Sequence, residues 1–199
     1  MRPIFLLIIS SLLISTLVAC VSIKQTKQNV AIYDFGLSTS INSGNQITSK
    51  LLLDTPVAVD SLSHNKIRYR LNYQNPSRVF FYTESRWAAT PLELFSSKLS
   101  KMVNFSQTAK NCSLKLKIEA FDHVFQTTTT SEGVVQLSAL VVEKKTQKII
   151  SSQIFTESAL SITPNAQGGA DAISQAVESS LKKAIDWGNL ISDKSELCQ

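Results

Sequence analysis

Leu114-Lys115-Leu116-Lys117-Ile118-Glu119 alternates apolar and charged side chains without a break, so Leu114, Leu116 and Ile118 share one face and Lys115, Lys117 and Glu119 the other. A strand of this pattern is buried on one side and wet on the other. Gly133 to Lys144 and Lys148 to Leu160 continue it as a meander of three long strands. Thr127 to Thr130 reads as a strand end or hairpin tip. The Lys144-Lys145-Thr146-Gln147 turn lacks the usual glycine. Pro164 to Gly169 then breaks the chain, and Ala170 to Leu190 reads as a long helix. Ile173, Ala176, Val177, Leu181, Ala184, Ile185 and Leu190 form a stripe about 100° wide, the pattern of a helix laid on a sheet, with Trp187 beside it.

Upstream, Val30 to Leu37 reads as a strand ended by Gly36 and a polar loop from Ser38 to Gln46. Leu51 to Asp60 is a second strand, with Pro56 marking an edge or bulge. Lys66 to Tyr73 places Ile67, Tyr69 and Leu71 opposite Arg68 and Arg70, and Arg78 to Thr83 returns after the Asn75-Pro76-Ser77 turn. These four pieces are expected to form a small antiparallel unit. Thr90-Pro91 starts a helix: the threonine can cap orphan amides, and proline fits the first turn, where its missing N–H costs nothing. Leu92, Phe95, Leu99, Met102 and Val103 make its apolar face, and Asn104 to Asn111 is a connection. The expected fold is α+β, an antiparallel or mixed sheet with two main helices packed chiefly on one face.

The N-terminus bears on location. Arg2 precedes an apolar run from Ile4 to Val18, too short to span a membrane, and Leu17-Val18-Ala19-Cys20 looks like a bacterial lipobox. Residues 1–19 are therefore expected to be a lipoprotein signal peptide, 20–29 a lipidated tether and 30–199 one periplasmic domain. Acylation of Cys20 would supply the two or more chains that stable attachment needs. Val21 and Ser22 follow it, with no aspartate to retain the protein at the inner membrane, so an outer-membrane anchor facing the periplasm is favoured.

Formal net charge is +5, and the lysines and arginines are scattered along the sequence, a mildly basic solvated surface with no nucleic-acid groove. With Cys20 acylated, Cys112 and Cys198 remain; an oxidising periplasm favours a bridge, with two unpaired thiols as the alternative. His64 and His123 have no second His or Cys at ligand spacing, so no metal site is expected. Asp122 beside His123 is not a dyad, because adjacent strand residues point to opposite faces. The chain holds no GxSxG elbow, phosphate-cradling glycine loop or HExxH helix. The expectation is a non-enzyme with no catalytic residues and no cofactor beyond the lipid on Cys20.

The order of segments resembles the ABC-type transport auxiliary lipoproteins, which include the lipoprotein of the paraquat-inducible lipid-transport system. The likeness begins with the lipobox and Tyr33-Asp34-Phe35-Gly36-Leu37 and passes through Ile67-Arg68-Tyr69-Arg70. It is strongest at Tyr82…Arg86-Trp87-Ala88-Ala89-Thr90-Pro91-Leu92, and it closes on Ile185-Asp186-Trp187. The sequence departs from the family at Asp54 and Asp60 and in the Asn72 to Pro76 hairpin. The resemblance singles out Arg70, Tyr82, Arg86, Trp87, Pro91 and Trp187, with Arg86-Trp87 read either as a staple of helix start to sheet or as a partner contact. It implies a docking role beside an ABC transporter whose substrate-binding component carries a mammalian-cell-entry (MCE) domain. An MCE-domain protein is then the expected partner, and a ring of copies of the chain is an arrangement it allows. Two rivals are an outer-membrane biogenesis lipoprotein assisting lipopolysaccharide or β-barrel assembly, and a periplasmic hydrolase built around His64 or His123.

Overall fold

The computed structural model describes residues 29–37, 46–105 and 111–199. Cys20, the expected signal peptide and residues 20–28 of the expected tether lie outside the described residues. In chain order the strands are β1 (Ala31–Tyr33), β2 (Ile47–Ser49), β3 (Leu52–Leu53), β4 (Val57–Ala58), β5 (Lys66–Leu71) and β6 (Phe80–Trp87). Helix α1 (Pro91–Met102) precedes β7 (Val103–Phe105), β8 (Cys112–Phe125), β9 (Ser131–Glu143) and β10 (Ile149–Leu160), and α2 (Ala166–Lys194) follows.

The three long strands form the predicted meander, β8 antiparallel to β9 and β9 to β10. The remainder is not the antiparallel unit expected. Only β5 and β6 pair antiparallel; β1 runs parallel to β6, and β5 parallel to β8. The eight-stranded mixed sheet has the order β1-β6-β5-β8-β9-β10, with β3 and β4 also paired to β8. Periodicity assigns faces to a strand but carries no direction for its neighbour, which explains the difference.

The expected Leu51–Asp60 strand is two short ones. Pro56 has no N–H to give the ladder, so pairing with β8 lapses there and resumes at Val57. The first strand shrinks to Ala31–Tyr33, and Gly36 turns the chain at φ 70°, its amide donating to Asp34 Oδ1 at 2.7 Å. Part of the supposed Asn104 to Asn111 connection is β7, which pairs with β2 as a separate two-stranded parallel sheet.

Helix α1 begins as read. Thr90 accepts from the Glu93 amide while the Glu93 carboxylate accepts from the Thr90 amide, with Pro91 opening the first turn. Pro91, Leu94, Phe95 and Leu99 are its buried residues; Leu92 and Met102 only lean on the core. Helix α2 is longer than the predicted Ala170 to Leu190 segment. Asn165 caps it by accepting from the Gly168 amide, so Gly168 and Gly169 lie inside the first turn instead of before it. Leu190, placed in the apolar stripe by spacing, is half exposed, and Ser192 is buried instead.

The core lies between α2 and one sheet face. Leu114, Leu116, Ile118 and Phe121 of β8 and Val135, Leu137, Ala139 and Val141 of β9 meet Ile173, Ala176, Val177, Leu181 and Ile185. Burying each of the valine, leucine, isoleucine and phenylalanine side chains fully contributes about 1.5–3 kcal/mol relative to exposure. Both helices pack on the sheet, as expected. A bulge between Ile118 and Ala120 inserts one residue into β8, so Phe121 and His123 return to the helix side and Asp122 points away.

Candidate functional site

That bulge creates two polar centres on opposite faces of β8. On the helix side His123 is fully buried, with Nδ1 2.8 Å from the Tyr82 hydroxyl of β6. Burial pulls the imidazole pKa down to about 4 and pushes the Tyr82 phenol up, with Tyr69 adding to the latter. Both are therefore neutral at pH 7, one hydrogen bond joins the phenol oxygen to Nδ1, and Nε2 has no hydrogen-bond partner among the described residues. The first turn of α2 presses on the ring: a methyl group at Gly169 would lie 2.5 Å from His123 Cγ and Nδ1. Tyr69, Phe80 and Phe125 complete an aromatic cluster, with Tyr69 stacked on Phe80 at 5.2 Å and His123 4.5 Å from Phe125.

On the helix-free side Asp122 is buried between two guanidinium groups. Arg68 Nε lies 2.7 Å from Oδ1 and Arg70 Nε 2.7 Å from Oδ2. Arg68 also donates to Ser61 Oγ and Arg70 to the Pro76 carbonyl, so the triad ties β5 and β8 to a 3-10 turn and to the hairpin loop. Two cations around one carboxylate leave a net positive charge on this face.

The residues marked by sequence end up in different places. Arg70 belongs to the triad and Tyr82 to the His123 pair, while Arg86 is exposed on β6. Trp87 is buried, 5.6 Å from Phe121 and 5.9 Å from Phe35. Pro91 is buried at the head of α1. Trp187 is only half-buried, edge-on to Phe155 of β10 at 5.9 Å. Cys112 and Cys198 are joined, with Cα atoms 5.0 Å apart. His64 packs edge-on to Phe81, 5.1 Å away, and Thr127 to Thr130 form the β8–β9 hairpin tip. The residues passed over were Arg68 and Asp122; the available signal was a carboxylate and an imidazole adjoining in an otherwise apolar strand end.

Among the described residues no group of three or more His, Cys, Asp or Glu side chains could hold a metal ion. No helix among them is long and apolar enough to cross a membrane. Among the described residues no strand pairs with the long outer edge of β10, and Ile154 on that strand is exposed.

Comparison with known proteins places the fold. No family model and no curated protein matches the chain. Among solved structures, a Xanthomonas campestris protein of the DUF330 family superposes with a TM-score of 0.65 at 17% identity, over 82% of this chain and 98% of that one. The two share a fold. An uncharacterized protein superposes at 0.50 with 11% identity, over 84% of this chain and 99% of its own. Lipoprotein GNA1162 of Neisseria meningitidis reaches 0.29 at 10% identity, over 68% and 96% of the two chains, too remote to carry an argument.

Proposed function

We propose that this chain is a non-catalytic, lipid-anchored docking component of an ABC-type intermembrane lipid-transport system. It is held by Cys20 at the periplasmic face of the outer membrane and binds the periplasmic assembly of an MCE-domain protein. The observation that carries this reading is the ordered resemblance from the lipobox through Tyr33, Arg70 and Tyr82 to Trp187. Its strongest stretch, Tyr82 to Leu92, is one continuous piece of structure, running along β6 and through the capped start of α1. A rigid domain with one sheet face covered by helices and the other open suits docking. A lipid anchor confines such a domain to one membrane and raises its effective concentration toward a partner there.

The test is affinity purification from detergent-solubilised membranes after cross-linking. Recovery of an MCE-domain protein supports the reading. Reproducible recovery of a β-barrel assembly or lipopolysaccharide-export barrel without one overturns it in favour of a biogenesis role. Cys20→Ser should leave an uncleaved or mislocalised precursor; maturation and partition like the unaltered chain would refute the anchor.

A further inference from the structure

The β5–β6 hairpin carries a local excess of cations. Residues 64–87, the β5–β6 hairpin with its flanks, hold Lys66, Arg68, Arg70, Arg78 and Arg86 with Glu84 as the carboxylate of that stretch, and Arg68 and Arg70 share Asp122 of β8. On the helix-free face of this hairpin Lys66 and Arg86 are exposed and directly paired across the strands. Lys66 Nζ stands 5.3 Å over the ring of Phe81, which is 39% exposed. Beside Arg86 on the next strand comes Ile32, 69% exposed. Exposed cations interleaved with an aromatic ring and a branched aliphatic chain match a phospholipid surface. The charges meet anionic headgroups, while Phe81 and Ile32 reach the interfacial zone.

Where the chain enters this patch matters as much as its chemistry. Ile32 is in β1, the outermost strand at this edge of the sheet, and the described chain begins only two residues before β1, at Asn29. From Cys20 to Asn29 there is at most about 30 Å of chain. An acylated Cys20 thus tethers this edge of the domain, not the β10 edge.

We propose that the helix-free surface of the β1–β6–β5 edge, formed by Ile32, Lys66, Phe81 and Arg86, rests on an anionic phospholipid leaflet. This orients the domain so that α2 and β10 project away from the membrane. The inference rests on the lipid anchor assigned to Cys20 but not on the identity of any transport partner.

The test uses the full lipidated chain in phosphatidylethanolamine vesicles with or without phosphatidylglycerol. Cys112 and Cys198 are bridged, and Cys20 offers no free thiol once acylated, so a single added thiol can be labelled alone. Fluorophores on Thr83→Cys, in the exposed part of β6, and on Gln175→Cys, exposed on α2, are exposed to a quencher carried on lipid headgroups. Position 83 should be quenched several-fold more than 175, and only with phosphatidylglycerol present. Lys66→Gln/Arg86→Gln should weaken the contact about 25-fold, about fivefold per charge, and bring position 83 down to the level of 175. An acylated chain with equal quenching at the two positions, or with quenching indifferent to phosphatidylglycerol, overturns the surface alone. A chain whose N-terminal peptide carries no acyl mass overturns the anchor and the surface together.

Discussion

The ring of His123 and the backbone of Gly169 are in direct contact, leaving no space for a methyl group, which would sit 2.5 Å from two ring atoms. In an exposed helix interior, replacing glycine by alanine gains about 1 kcal/mol of propensity. At this position the sign should reverse. Gly169→Ala is expected to cost roughly 1–3 kcal/mol through overpacking against a strand that cannot yield. Urea unfolding checks it, and a stabilised variant would show that α2 can move off the ring.

The same contact makes stability depend on acid. The folded pKa of His123 is lowered from 6.5 to about 4, so between these values the unfolded chain holds the extra proton and the folded one does not. Stability is unaffected above the unfolded value and falls as pH drops from about 6.5 toward 4. The loss should total about 3 kcal/mol if this group acts alone. His123→Phe removes the titrating group, though it leaves the Tyr82 hydroxyl without its hydrogen-bond partner, so its unfolding free energy should be lower at pH 7 and flatter across this window. An unaltered slope in the variant would assign the acid sensitivity to another group.

Asp122 places one carboxylate between two guanidinium groups in a buried site. Removing one member of such a set leaves uncompensated charge, at a typical cost of 3–5 kcal/mol. Asp122→Ala should therefore destabilise more than Arg70→Ala, since Arg70 is the more exposed of the two arginines and can take up water. Thermal unfolding of the two variants tests the order; equal melting temperatures would contradict it.

Cys112 and Cys198 are 86 residues apart in sequence. Closing a loop of that size restricts the unfolded chain by about 4–5 kcal/mol in the chain-entropy model. The bridge pins the start of β8 to the end of the chain, where Asn111 also donates to the Gln199 carbonyl. Thiol trapping of unreduced mature protein should find neither cysteine alkylated, and Cys112→Ala/Cys198→Ala should unfold at lower urea concentration.

The two tryptophans should separate. Trp87→Ala empties a fully buried site and is expected to cost about 3–5 kcal/mol. Trp187 is half-buried with Phe155 as its ring partner, so Trp187→Ala should cost clearly less. Melting temperatures in the opposite order would mean that the Trp187 edge is covered by something beyond this chain.

Much of this arrangement is written locally. Alternation in Leu114 to Glu119 decides which residues of that stretch meet the helix. The Thr90-Pro91-Leu92-Glu93 cap fixes where α1 begins, because a side-chain oxygen and a missing N–H act within one turn. The helical stripe from Ile173 to Ile185 identifies the face of α2 that the sheet covers. What could not be read locally was anything requiring knowledge of a neighbour. Parallel pairing of β5 with β8 depends on which edge of β8 is left open. The bulge after Ile118 depends on how β9 registers against β8, and it alone sends His123 toward Gly169 and Asp122 toward Arg68. Alternation along one strand is a property of consecutive residues. A bulge and a shared cation patch are properties of two strands at once, so only the packed chain decides them.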